Sequence, residues 1–181
     1  MAKGDTFFLR TTLTSATNTY VSDDIDISAY TDPSRGKILV IDRGFITFGT
    51  DGNGPLVTSD VGTTMGSRSM GAQACSESQS GLVQTDDNSL FMKVNYYASI
   101  MKNETSSGTF SGPAFSMINE ENALNPANYM HGFPIPTDKI HCGIQTGTAW
   151  SNEIDVGFLF EVHTEKLSLS KLQELLVSLT A

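Results

Sequence analysis

Positive charge is scarce in this sequence. Eleven Lys and Arg stand against 20 Asp and Glu, a formal net charge of −9 at pH 7. Tight, sequence-independent phosphate binding draws on clustered bases that release counterions. Here the bases are scattered: Arg35, Lys37 and Arg43 form the densest group, and only Lys3 and Arg10 precede residue 35. Cysteine is rarer still. Cys75 and Cys142 are too few for a disulfide framework, so two reduced thiols are expected, with one long-range bridge as the other option. No apolar run approaches the roughly 20 residues of a membrane-spanning helix. The opening MAKGDTFFLRTT lacks the basic start and unbroken apolar stretch of a secretory leader.

Catalytic chemistry is equally thin. A triad needs a nucleophile, a base and an orienting acid, and the only histidines are His131, His141 and His163. No serine sits in a G-x-S-x-G elbow. Zinc wants convergent His and Cys ligands, whereas these are dispersed. The carboxylates of Asp23, Asp24 and Asp26, and Asp51 with Asn53, are hard oxygen donors of the kind Ca²⁺ takes. Neither stretch completes an EF-hand loop, so a solvated turn is the simpler reading. Gly62-Thr63-Thr64-Met65-Gly66 lacks the lysine of a phosphate cradle. Tyr96-Tyr97 beside Lys93 is the one local pairing of aromatics with a base, and Tyr96 falls on a core-facing position. Asn103-Glu104-Thr105 matches an N-glycosylation acceptor. The chain therefore reads as a non-enzyme with no resident cofactor, calcium being the one candidate metal.

What the sequence does have is period-two alternation. Ile154, Val156, Phe158, Phe160 and Val162 alternate with Asp155, Gly157, Leu159, Glu161 and His163, the mark of a half-buried strand. Ile140, Cys142 and Ile144 repeat this, with Trp150 in the same parity, and Leu90, Met92, Val94, Tyr96, Ala98 and Ile100 form a third such face. His141 and His163 both fall on the outward side, which suits solvent-facing or inter-strand polar roles. Lys37–Thr50 is nearly continuous in apolar character, as for a strand covered on both sides, with Gly44 marking a bulge or bend. Phe7–Thr19 and Val21–Ile27 supply further strands. Turns are expected at Asp32-Pro33-Ser34-Arg35-Gly36, at Asp51-Gly52-Asn53-Gly54-Pro55 and at Ser151-Asn152. The short link at 151–152 predicts that strands 139–150 and 153–163 form an antiparallel hairpin.

Two stretches break the pattern. Residues 51–89 and 103–137 read as long loops with unresolved short strands, the second with a helical turn near Asn119–Leu124. The end of the chain changes period: Leu169, Leu172, Leu176 and Leu179 recur at helical spacing, and Ser170 with Gln173 resembles a capping box. Three turns of helix are not stable alone. These leucines must dock, on their own sheet or on another subunit. The organisation expected is a β-sandwich over residues 1–166 and a Leu-rich helix or docking tail over 167–181.

Ile25-Asp26-Ile27-Ser28-Ala29-Tyr30, the turn Asp32–Gly36, the run Lys37–Ile41 and Phe45-Ile46-Thr47-Phe48 together resemble the early strands of single-jelly-roll capsid proteins of small icosahedral viruses. Pro134-Ile135-Pro136 with the two closing strands is similar to their last hairpin. The resemblance covers about half the chain. It implies an all-β antiparallel jelly roll of eight strands in two sheets, self-assembly into a closed shell, and genome enclosure. The missing basic arm departs from many such proteins and argues against direct genome contact. The reading is thus a capsid subunit located in the virion, with copies of itself, and other capsid proteins, as partners. Contacts are expected in residues 51–89, 103–137 and 167–181, the leucines 169, 172, 176 and 179 among them. The alternative is a carbohydrate- or Ca-binding β-sandwich module, such as a phage fibre or decoration protein.

Overall fold

The computed structural model describes residues 5–50, 54–56, 66–104 and 110–180. The strands are β1 (Phe7–Ser15), β2 (Val21–Asp26), β3 (Lys37–Thr50), β4 (Gly66–Cys75), β5 (Leu90–Glu104), β6 (Phe110–Leu124), β7 (Phe133–Ile135), β8 (Lys139–Thr146) and β9 (Ile154–Lys166), followed by helix α1 (Leu169–Thr180). They form a four-stranded sheet in the order β1-β9-β3-β7 and a five-stranded sheet in the order β2-β8-β4-β5-β6. Every pairing is antiparallel. The pairs nest: β1 with β9, β2 with β8, β3 with β7, and β4 with β5. That nesting is the doubled Greek key of a jelly roll. The eight strands anticipated are present, and β6 is a ninth, added along the edge of β5.

Three expectations give way. Strands β8 and β9 are not a hairpin: β8 pairs with β2 and β4, β9 with β1 and β3, so the link between them crosses from one sheet to the other. Residues 103–137 are not chiefly loop, since they hold β6 and β7, whereas 51–89 hold β4 and then run without helix or strand from 76 to 89. The helical turn expected at 119–124 is strand, and a 3₁₀ turn follows it at Pro126–Asn128, capped by the side chain of Asn125. The turn at 32–36 stands as read: Asp32 caps a 3₁₀ turn over Pro33–Arg35, and Gly36 closes it at φ 72°. Within the described residues the second turn survives only as a bridge from Thr50 to Gly54, because Asp51, Gly52 and Asn53 lie outside them, as do Gly62–Met65 and Thr105.

The core lies between the sheets. Leu9, Leu13, Leu39, Ile41, Val156, Phe158, Phe160 and Val162 from one sheet meet Met70, Ala72, Ala74, Met92, Val94, Tyr96, Ile140, Cys142 and Ile144 from the other. Two bulges tune this packing. In β5 the register against β4 shifts between Ala74 and Cys75; Phe91 is the extra residue, and it joins the core against Phe133 and Phe160. In β3 the register against β9 shifts between Ile41 and Arg43, making Asp42 the extra residue. Leu39 and Ile41 face the core before it, whereas Ile46 and Phe48 do so after it. This switch of parity is why the β3 sequence looks continuous instead of alternating. Gly44 is needed just past the bulge, where a methyl group would overlap the Met92 thioether from the facing sheet and crowd Phe160 of the neighbouring strand.

Candidate functional site

The outer face of the four-stranded sheet is unlike an ordinary solvated surface. At one end, Ile38 and Val40 turn away from the core and meet Leu172 of α1, with Leu167 and Leu175 packed around them. The chain is delivered there by Leu167, whose N–H donates to Gly36 O (2.8 Å). Ser168 caps the helix, its Oγ accepting from Lys171 N, in place of the expected Ser170–Gln173 box. Of the leucine stripe, Leu172 is therefore used within the subunit, at 4 % exposure. Leu169, at 60 %, and Leu176 point outward together with Val177. The side chain of Leu179 lies outside what the structure describes.

Beyond the helix, alternation sends Phe8 and Arg10 of β1, Leu159 and Glu161 of β9, and Arg43 and Phe45 of β3 to this same face. Arg10, Leu159 and Phe45 stand level across the three strands, and Phe8 is level with Glu161. Phe8 and Phe45 are 55 % and 48 % exposed. At the flank, Tyr129 and Met130 border a cavity of about 380 Å³ shared with Arg43, Glu161 and His163. Of the large apolar side chains that are exposed among the described residues, Phe8, Phe45, Tyr129, Met130, Leu169, Leu176 and Val177 thus belong to this side, and only Tyr30 and Tyr97 do not. Sequence alternation could not show this, because a strand's outward positions are conventionally assumed to be wet.

A polar cluster sits inside this apolar surround. His163 faces away from the core, as its parity requires, yet it is buried at 3 % exposure. Its Nδ1 lies 2.8 Å from Asp42 Oδ2 and its Nε2 3.1 Å from Glu165 Oε1. Arg43 pairs with Glu161 at 3.2 Å. Parity alone gives His163 an outward polar role and says nothing of its partners. Asp42 cannot be picked out from the sequence, because the bulge that aims it comes from the pairing of β3 with β9. His131 borders the same cavity.

The calcium candidates do not converge. In β2, Asp23 accepts from Thr11 Oγ1 (3.1 Å), which ties the edges of the two sheets together. Asp24 faces the opposite way, where Lys139 Nζ donates to it at 3.1 Å and His141 Nδ1 lies 2.6 Å away. Asp26 accepts from Ser28 N. Partial burial alone would raise the Asp24 carboxyl, but the Lys139 and His141 contacts outweigh it and hold the group below its ordinary value. Among the described residues no group of three or more His, Cys, Asp or Glu could hold a metal ion. Asp51 and Asn53 lie outside them. Both thiols are free and buried; burial pushes Cys75 up to about 12 and Cys142 well above its usual value. No helix of the described residues is long and apolar enough to cross a membrane.

No family model matches the chain, and no curated protein matches it. Among solved structures it is similar to VP1 of Trichodysplasia spinulosa-associated polyomavirus in complex with sialylated precision glycooligomers, at 8 % identity and a TM-score of 0.49 over 88 % of this chain and 95 % of that one. The same VP1 in complex with GM1 oligosaccharide gives 7 % identity and a TM-score of 0.48 over 88 % and 96 %. The 60-mer BFDV capsid protein gives 11 % identity and a TM-score of 0.33 over 92 % and 96 %.

Proposed function

We propose that this chain is a viral capsid subunit whose work is self-association into a closed icosahedral shell. The observation that carries the reading is the gathering of exposed apolar side chains on one outer face of a jelly roll. Burying such a face yields about 25 cal/mol per Å² of apolar area, and contiguous patches of this kind mark interaction surfaces. The leucine-bearing tail adjoins that face, so Leu169 and Leu176 extend it, while Leu172 anchors the tail on its own sheet. Closed shells built from one chain use contacts between different patches of sister copies around their rotation axes.

The shell would enclose the genome without gripping it through this chain's densest basic group. Arg35 pairs with Asp32 at 3.5 Å and Arg43 with Glu161 at 3.2 Å. Genome charge would then be neutralised by cations or by another internal protein. Other capsid proteins can share the shell, and the subunit belongs to the virion.

The test is electron microscopy and sedimentation of the purified protein over a range of salt and pH. Regular particles or large symmetric oligomers are expected, weakened by Phe45→Asp and by Leu176→Asp. Monomers under every condition would overturn the reading.

A further inference from the structure

His163 has an acidic oxygen at each of its ring nitrogens: Asp42 Oδ2 lies 2.8 Å from Nδ1, and Glu165 Oε1 lies 3.1 Å from Nε2. A neutral imidazole carries one N–H and one bare lone pair. It can serve one of these carboxylates and must repel the other. The imidazolium donates to both. Bulk water does not stand in, because the ring is almost fully buried and both carboxylates are largely covered. The arrangement is complete only while the ring holds its second proton.

Each element packed around the ring brings charge. Asp42 and Arg43 of β3, Glu161 and Glu165 of β9, and His131 border one cavity with it. Arg43 and Glu161 pair with each other at 3.2 Å. Lys37 and Lys166 stand opposite one another at the strand ends, on the core-facing parity. Asp5 just before β1, Arg10 within it, and Lys171 and Glu174 of α1 are exposed.

The same point seats part of the docking face. Residues 125–132 straddle the bulge. On one side Asn125 Nδ2 donates to Gly44 O at 2.8 Å. On the other, Gly132, at φ 69°, lies so close that a methyl group there would overlap Ile41 O. Asp42 falls between these two seats. The segment they hold presents Tyr129 and Met130, the latter 91 % exposed.

We propose that His163 is a proton-operated latch on the docking face: charged, it ties the β3 bulge to β9 and keeps the Tyr129–Met130 segment set for assembly, and on losing its proton it lets go. What the latch controls rests on the capsid reading; the latch itself does not. The sign follows from the hydrogen bonds. At the acid end of the range in which imidazoles titrate, the ring donates to Asp42 and Glu165 together. As pH rises the ring gives a proton to solvent, and one carboxylate is left facing a lone pair in a covered place. That costs free energy until the carboxylate swings out to water. Its departure loosens the seat of Tyr129 and Met130, so rising pH weakens the contacts between subunits.

Sedimentation reads assembly, and amide hydrogen exchange at residues 129–132 of unassembled subunits reads the latch, both at about pH 6 and about pH 8.5. The protein concentration at half assembly should rise about tenfold at the higher pH, and exchange, corrected for its intrinsic dependence on pH, should speed by a similar factor. Glu165→Gln should flatten both responses, because its amide can donate to the lone pair of a neutral ring while Asp42 takes the N–H. Should that variant not fold, Asp42→Asn makes the same change at the other nitrogen. His131→Gln, in the same cavity, and His141→Gln, on the opposite sheet, should each keep the full response. Equal exchange at both pH values, a response of opposite sign, one that persists in Glu165→Gln, or one lost with His131→Gln or His141→Gln would overturn the latch. Particles whose assembly ignores pH strike the latch and spare the capsid reading. If no particles form at any pH, the capsid reading falls and exchange alone decides the latch.

Discussion

The carboxylate of Asp42 lies 2.8 Å from the buried Nδ1 of His163, and a β-bulge makes the contact. Asp42 is the extra residue where the β3 register against β9 shifts, and the local bend lets its side chain lean toward the neighbouring strand. The same extra residue turns Ile46 and Phe48 inward. One insertion thus aims a polar contact outside the core and sets the packing inside it.

Removing the imidazole should show its structural weight. His163→Ala leaves Asp42 and Glu165 as partly buried carboxylates facing each other across a hole. A loss of about 2–4 kcal/mol is expected in urea unfolding. Deleting Asp42 removes the surplus residue and the bulge together and leaves Arg43–Thr50 opposite the same β9 residues and on the same faces; folded protein that has lost the His163 contact is expected, as judged by circular dichroism and urea unfolding.

The tail offers a separable pair of effects. Leu172→Ala empties the contact with Ile38 and Val40 and should destabilise the chain by about 2–3 kcal/mol. Leu169→Ala removes an exposed side chain and should change stability by less than about 0.5 kcal/mol. If the tail takes part in assembly, sedimentation of Leu169→Ala will shift toward smaller species even though its unfolding curve does not move.

Gly44→Ala should cost about 1–3 kcal/mol by overpacking the space between the sheets. Most of that conflict is with the thioether of Met92. In a Met92→Ala background the cost of Gly44→Ala should therefore shrink, a coupling that a double-mutant cycle reads directly.

Acid should weaken the β2–β8 edge. The Lys139 and His141 contacts lower the folded-state Asp24 carboxyl despite the opposing effect of partial burial. Such a group adds stability above the unfolded carboxylate value, near pH 4, and loses it as pH falls through the lower folded value. Tm measured from pH 6 down to 2 should fall less steeply for Asp24→Asn than for the parent. The difference will be small, because the pair is solvent-exposed.

Neither thiol should react while the chain is folded. Burial raises Cys75 to about 12 and Cys142 likewise upward, leaving almost no thiolate at neutral pH. Ellman's reagent is expected to titrate no thiols in buffer and both in guanidinium chloride. Prompt reaction of either in buffer would contradict the burial.

Strands with large alternating side chains are legible in the sequence: residues such as Val94 in β5, Ile144 in β8 and Phe158 in β9 mark one face by their apolar bulk. Strand β4 is not legible in this way, because Ser69, Gly71, Ala72 and Ala74 are too small for either face to stand out. The Asp24 and Asp42 contacts are hidden for a different reason, since their members come from strands distant in sequence.

Period and turn chemistry by themselves determined that the chain is all-β, which side of most strands is greasy, and that a short leucine-rich helix must lean on something. Tertiary structure alone decided that β8 and β9 part into separate sheets, that His163 is enclosed by Asp42 and Glu165, and that Leu172 rests on Ile38 and Val40. The physical reason is that alternation encodes which face loses water. It does not encode which strand, in which register, does the covering.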